Sequence, residues 1–141
     1  MKSAIIVYSF SGNSLKFAQK LQGDGGADLI EVKEKEARSK ASAYLKGTRQ
    51  ARSLQGVELA DPVPDLSEYE SITLVFPVWA GYPAPAFNSV LPSLPEGARV
   101  TVYLSSAGGS TSQNMKDQLT TLLKGAGCEV LRITDIKGSG A

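Results

Sequence analysis

The chain has 141 residues, with 42% hydrophobic and 21% charged side chains and a formal net charge of +1. These values are typical of a soluble globular chain with a single domain over 1–141, and they argue against a disordered chain and against nucleic acid as the main partner. The chain contains no histidine, which excludes Ser-His and Cys-His nucleophile pairs and histidine-ligated metal sites within it.

The pattern of apolar residues predicts five buried strands with helices between them. In chain order the strands are Ser3–Tyr8, Leu29–Val32, Ile72–Phe76, Val100–Leu104 and Val130–Ile133. Helices are predicted directly after Ser14, over Ala86–Leu91, and before Gly125. This alternation is typical of a three-layer α-β-α sandwich with a parallel sheet, whose ligands bind beyond the carboxyl ends of the strands.

The segment Glu31–Gln55 carries most of the charge asymmetry, with seven basic and three acidic residues. The basic residues are Lys33, Lys35, Arg38, Lys40, Lys46, Arg49 and Arg52. Such a run is usually a solvated helix face. It could also pack over the functional site or meet a partner.

Cys128 is the only cysteine and precedes an apolar run. We expect it to be a buried, inert side chain in a reducing compartment. The apolar stretch Ala4–Tyr8 is too short for a signal-peptide core, and no stretch reaches the roughly 18 apolar residues of a membrane helix. A cytoplasmic location, with no membrane attachment, is therefore expected.

The loop after the first strand has the composition of a phosphate site. It alternates three hydroxyl residues, Ser9, Ser11 and Ser14, around Gly12 and Asn13. Hydroxyl donors beside the free N–H groups of a helix N-terminus can hold a phosphate without a lysine. The loop lacks the ending of a Walker sequence and the spacing of a dinucleotide turn. The alternative is an ordinary Ser/Gly turn that caps the helix.

Two further loops lie at the same predicted edge of the sheet. The third strand is followed by Pro77-Val78-Trp79-Ala80-Gly81, in which Trp79 is poorly placed for the core and could stack on a planar ring. The alternative is that Trp79 packs under its own loop. The fourth strand leads into Ser105 and Ala107-Gly108-Gly109, where adjacent glycines allow backbone N–H groups to approach a ligand. Together the three loops predict a site for a flat heterocycle with a phosphate tail.

The hydroxyl loop Ser9–Ser14 resembles the phosphate loop of flavodoxins, and Pro77–Gly81 is similar to the Pro-x-Trp-x-Gly loop of flavodoxin-like proteins. The resemblance covers nearly the whole chain. It implies strand order 2-1-3-4-5 and bound flavin mononucleotide (FMN). It assigns the phosphate to Ser9, Ser11, Gly12, Asn13 and Ser14, the ring flanks to Pro77, Val78, Trp79, Ala80 and Gly81, and the ring's polar edge to Ser105, Ala107, Gly108 and Gly109. No catalytic residue and no metal ligand is implied.

The chain also departs from the flavodoxin pattern. Residues 105–115 contain no second aromatic, the net charge is not strongly acidic, and the closing helix after the fifth strand is apparently absent. An uncovered apolar sheet face would then favour a homodimer.

Three functions remain open from the sequence. The first is an electron carrier that serves redox partner proteins. The second is an FMN-dependent NAD(P)H oxidoreductase that reduces a small-molecule electron acceptor such as a quinone or nitro compound. The third is a non-redox module that binds another phosphorylated ligand.

Overall fold

The computed structural model describes residues 2–36, 39 and 43–138. Its strands are β1 (Lys2–Val7), β2 (Asp28–Glu31), β3 (Tyr69–Trp79), β4 (Tyr82–Pro83), β5 (Arg99–Ser106) and β6 (Glu129–Lys137). Its α-helices are α1 (Asn13–Gly25), α2 (Thr48–Arg52), α3 (Ala86–Val90) and α4 (Gln113–Gly125). A π-helical turn, Ala43–Gly47, precedes α2, and a 3-10 turn, Leu91–Ser93, follows α3. Of the predicted features, Arg38, Lys40 and the last three residues lie outside the described part.

Five long strands form a parallel sheet in the order β2-β1-β3-β5-β6. Because β4 is a two-residue strand that pairs only with β3, in antiparallel fashion, this order is the 2-1-3-4-5 arrangement that the resemblance implied. The central strands are buried on both faces, as the continuous apolar runs predicted.

Helices cover both faces of the sheet, which confirms the predicted three layers. On one face Ala18 of α1 packs on Ile5, Val7 and Val75. On the other, the larger core joins apolar side chains from α2, α3 and α4 to the sheet. These include Ala51, Phe87, Val90, Met115, Leu119 and Leu123.

The strands extend further than the apolar runs predicted, because pairing with a neighbour continues through polar residues. β6, for example, runs to Lys137 beside Ser106. The expected uncovered apolar face carries polar side chains beside apolar ones, and Leu131 of β6 is 53% exposed. On the sheet face that α1 covers, the Arg132 guanidinium donates to Tyr103 Oη at 2.9 Å. Thr134 lies opposite Tyr103 in the pairing of β5 with β6. The homodimer stays a prediction.

Cys128 is buried, as predicted, and burial raises the pKa of its thiol above the ordinary value of 9.0. None of the helices in the described part of the chain combines the length and the apolar character that crossing a membrane requires.

Candidate functional site

The loop between β1 and α1 leaves the first turn of α1 without a side-chain cap. Gly12 is the N-cap residue, with φ of 99°, and as a glycine it has no side chain that could accept a hydrogen bond from the first turn. Ser9 Oγ instead accepts from the Gly12 N–H at 2.9 Å, which folds the loop back on itself. The positive φ explains why glycine stands at this position, since other residues adopt it at a cost.

Ser14 is the second residue of α1, and its hydroxyl is unsatisfied. The residue is 1% exposed, and its Oγ has no hydrogen-bond partner. An unpaired buried hydroxyl costs about 1–3 kcal/mol, so natural structures rarely keep one without a use. An anion at the helix N-terminus would supply the missing acceptor.

The other long helix shows the ordinary arrangement. Ser112, the N-cap of α4, accepts a hydrogen bond from the Met115 N–H at 3.1 Å. The same residue type therefore caps α4, whereas the serines before α1 do not cap their helix. This contrast argues against the alternative that Ser9–Ser14 is only a capping turn.

Trp79 is part of the core, so the prediction that it is poorly placed for the core is wrong. Its side chain is 6% exposed and meets the rings of Tyr8 and Phe10 edge to face, with centroid distances of 6.1 and 5.8 Å. The physical reason is that β3 extends to Trp79 and pairs it with Tyr82 in a hairpin. Both aromatic partners belong to the β1 end and the following loop, a tertiary contact that local composition does not reveal.

The hairpin turn projects beyond this aromatic cluster. Ala80 and Gly81 both have positive φ, 53° and 87°, and both are exposed. Positive φ at both central residues is the requirement of a type I′ turn, which glycine meets freely and alanine only at a cost. Pro77, by contrast, is buried, and Val78 is only partly exposed. Of the five predicted ring-flanking residues, the structure thus presents Ala80 and Gly81 most fully to solvent.

The loop after β5 presents its glycines but buries its serine. Ala107 and Gly108 are exposed, and the Gly109 N–H donates to Ser106 Oγ at 3.1 Å. Ser105 is 1% exposed, and Gly138 lies so close to it that a Cβ on Gly138 would come within 2.8 Å of Ser105 Oγ. A Cβ on Gly138 would also lie 3.7 Å from Asn13 Cβ. The end of β6 therefore lies between the first and third loops, and Ser105 lies beneath it.

The three predicted loops do meet at one edge of the sheet. The Phe10–Trp79 contact joins the Ser9–Ser14 loop to the hairpin, and Gly138 joins it to the loop after β5. Among the described residues, no group of three potential metal ligands assembles here or elsewhere.

A partly buried ion pair that sequence reasoning missed supports the third loop. Asp135 accepts hydrogen bonds from Lys116 Nζ at 2.6 Å and Thr111 Oγ1 at 2.7 Å. Burial alone raises the pKa of this carboxyl, but the contacts to Lys116 and Thr111 outweigh it and hold the pKa below its ordinary value of 3.8. A charged residue within β6 was the available sequence signal. The hydrogen bond from Thr111 to Asp135 attaches the loop before α4 to β6.

A second contact that sequence reasoning missed supports the aromatic cluster. The Tyr8 hydroxyl donates to Glu34 Oε1 at 2.7 Å, so the chain after β2 closes over the end of β1. Glu34 also pairs with Leu59 in an isolated antiparallel bridge. These contacts fix Tyr8, and through it the edge of Trp79.

Proteins of known structure with a similar fold include flavoproteins. A flavoprotein from Lactobacillus acidophilus NCFM, solved in complex with FMN, is 22% identical, with a TM-score of 0.72 over 94% of this chain and 91% of that one. The apo form of the Lactobacillus flavoprotein superposes with a TM-score of 0.67, at 23% identity over 96% and 92% of the two chains. Two-electron reduced Megasphaera elsdenii flavodoxin superposes with a TM-score of 0.58, at 16% identity over 94% and 83%. These likenesses show the fold.

Among curated proteins, no sequence matches this chain. The family model described as flavodoxin matches residues 2–130, nearly the whole chain. The chain belongs to the flavodoxin family.

Proposed function

We propose that this protein binds FMN non-covalently at the carboxyl edge of its sheet and transfers electrons between the flavin and a redox partner. One observation carries the proposal. It is the buried, unpartnered hydroxyl of Ser14 at a helix N-terminus that no side chain caps. A terminal phosphate would accept from this hydroxyl and from the backbone N–H groups of the first turn, where the helix dipole also favours negative charge.

The residues present fit the phosphate of FMN. Ser9 holds Gly12 in its left-handed conformation, and Ser11 lies within 3.3 Å of the Asn13 side-chain amide. These two contacts shape the loop, while Ser14 supplies a donor. No lysine is needed, because charge-assisted hydrogen bonds to neutral donors are sufficient for a monophosphate.

The other two loops would hold the flavin ring. The exposed turn at Ala80 and Gly81 would lie against one side, with Trp79 behind it. Ala107, Gly108 and Gly109 would offer N–H groups to the ring's polar edge, and Ser105, buried below Gly138, would support that loop. Asp135 would keep the loop in place through Thr111.

FMN, when bound, supplies the electron-transfer chemistry, so the chain needs to bind it, orient it and control access to it. This fits a chain with no histidine. The site assembled from these loops includes no general acid or base among the residues assigned to it.

Titration of the intrinsic fluorescence tests the proposal directly, because Trp79 is the only tryptophan. FMN should quench it with one-to-one stoichiometry. Riboflavin, which lacks the phosphate, should bind at least about 100-fold more weakly, since it forgoes two or more charge-assisted hydrogen bonds. Equal affinity for the two ligands would refute the assignment of the phosphate to the Ser9–Ser14 loop, and no binding of either would refute the function.

A second function has one observation in its favour. The loop after β5 has no aromatic residue, and its Ala107 and Gly108 are exposed. A flavin ring held there would have a face that a small substrate could reach. We therefore also propose testing NADPH-dependent reduction of a quinone by the FMN-loaded protein. Turnover with the quinone would support the oxidoreductase, and its absence together with one-electron exchange with a protein would support the carrier.

A further inference from the structure

We propose that an acidic redox protein docks on a basic surface formed by Leu45, Thr48, Arg49, Arg52 and Ser53. This inference rests on the proposed FMN binding and adds the charge and position of the partner. We call these five residues the basic surface.

The charge of the basic surface is not neutralised within the described part of the chain. Arg49 and Arg52 of this surface and the neighbouring Lys46 are exposed, and residues 45–55 include no acidic residue. Ion pairs in the described part of the chain include Lys2 with Glu68, Lys35 with Glu58 and Lys116 with Asp135, and among the described residues Arg49 and Arg52 have none. Two guanidinium groups of residues that line one cavity favour carboxylates, which they can bind in bidentate fashion.

The shape of the basic surface favours a protein over a small ligand. Its residues line an open cavity of about 440 Å³ and come from one short segment, so a small molecule would stay largely in water. Leu45, 65% exposed, lies within it and is one of only two large hydrophobic side chains of the described residues that are exposed. An exposed apolar side chain beside arginines is the composition of an interface centre.

The position of the basic surface fits electron transfer to the proposed flavin. Ala51, fully buried, anchors α2, which packs against β3 and β4. These two strands form the hairpin whose turn is Ala80 and Gly81. Hydrogen bonds between Ser89 and the Val57 backbone, at 2.8 and 2.6 Å, hold the following segment on α3. A partner on the basic surface would therefore lie beside the hairpin, without covering the loops themselves.

A further basic residue lies at the same edge of the sheet. Lys137 packs against Gly109, with a Cβ built on that glycine 3.1 Å from Lys137 Cβ, and is exposed. Of the acidic residues near the loops, Asp135 is paired with Lys116 and Glu34 accepts from the Tyr8 hydroxyl, while Glu31 at the end of β2 is exposed. Lys137 would therefore add to the attraction that the basic surface exerts on a negatively charged partner.

The experiment uses two probes of opposite charge, an acidic plant-type ferredoxin and basic cytochrome c. Binding of ferredoxin to the protein without flavin is measured by calorimetry. Electron transfer is then followed by stopped flow with the FMN-loaded protein. In each encounter reduced ferredoxin is oxidised by one electron, which the flavin accepts. Cytochrome c is tested in the opposite direction, as the oxidant that takes one electron from the reduced flavin.

The test variant is the double substitution Arg49→Glu with Arg52→Glu. The matched control is Lys20→Glu with Lys124→Glu, which makes the same change in net charge. Lys20 is exposed on α1, on the other face of the sheet, and Lys124 is exposed at the end of α4, at the opposite edge. Circular dichroism and fluorescence titration with FMN establish that both variants fold and load flavin.

We expect the test variant to weaken ferredoxin binding and slow its electron transfer at least about tenfold at low salt, with the control within about twofold of the parent. Salt at 0.5 M should remove most of the difference. Equal effects of the two variants, or faster exchange with cytochrome c than with ferredoxin at low salt, would overturn the proposal. Loss of NADP⁺ binding in the test variant, with ferredoxin unaffected, would overturn it in favour of a nucleotide site. Ferredoxin binding without FMN binding would instead show failure of the proposed function.

Discussion

Removing the Ser14 hydroxyl should have opposite effects on the protein with and without flavin. The side chain is 1% exposed, and its Oγ has no partner. Without ligand, Ser14→Ala removes an unsatisfied buried polar group, and we expect the free energy of unfolding to rise by about 1 kcal/mol. With FMN, the variant loses a hydrogen bond to a charged group of about 1.5–3 kcal/mol, so the Kd should increase roughly 10- to 150-fold.

Ser112→Ala is the matched control, because it removes a serine hydroxyl that does cap a helix. Ser112 Oγ accepts from the Met115 N–H at 3.1 Å. We expect this variant to lose about 1 kcal/mol of stability, the usual effect of deleting an N-cap. Its affinity for FMN should stay within about threefold of the parent, since α4 begins beyond the loop assigned to the ring.

Urea unfolding followed by circular dichroism gives the stabilities, and quenching of Trp79 gives the affinities. The informative result is that Ser14→Ala raises the free energy of unfolding and weakens FMN binding, whereas Ser112→Ala lowers the free energy of unfolding and leaves FMN binding nearly unchanged. If Ser14→Ala destabilised the protein without flavin as much as Ser112→Ala does, the hydroxyl of Ser14 would be a structural group and the phosphate assignment would lose its main support.

Three other perturbations test the supporting contacts. The pKa of Asp135 is lowered in the folded protein, so its contribution to stability is present above pH 3.8, the ordinary value, and is lost as pH falls through the folded value. Acid unfolding of Asp135→Asn should therefore depend less on pH than that of the parent. Burial raises the pKa of Cys128, so its thiol should react with a disulfide reagent at pH 8 far more slowly in the native protein than in urea; equal rates would contradict its burial. Ala80→Gly relieves a φ of 53° and should raise the free energy of unfolding by up to about 1 kcal/mol, as measured in urea, whereas a loss of stability would show that the alanine is not strained.

The sequence was sufficient to predict the sheet because the signals for it are local. Four- to six-residue apolar runs mark the buried strands, and Gly26, with φ of 67°, ends α1 as expected of a glycine. Strand ends were harder to place, since Lys137 is in β6 only because Ser106 is its neighbour.

The candidate site was predictable as a set of loops but not as a set of side-chain orientations. Trp79 has the composition of a ligand-stacking residue in a loop, and only the tertiary contacts with Tyr8 and Phe10 show it to be buried. Ser105 looked like a donor to the ring, but it is buried, and it lies beside Gly138, a residue 33 positions later. Asp135 and Thr111 meet across 24 positions, and no local pattern links them.

Departures from ordinary local structure concentrate at two places in the described residues, and this bears on function. At the edge of the sheet are the unpaired Ser14 and the strained Ala80. Beside the basic surface, Leu54 has a φ of 54°, and Asn88 in α3 has an unpaired buried Nδ2. Folding alone disfavours each of these features, and such features tend to persist where a function needs them. The first group adjoins the proposed flavin site, and the second lies next to the basic surface proposed for the redox partner. Electrons would therefore enter from the partner and reach the flavin at neighbouring parts of one edge of the sheet.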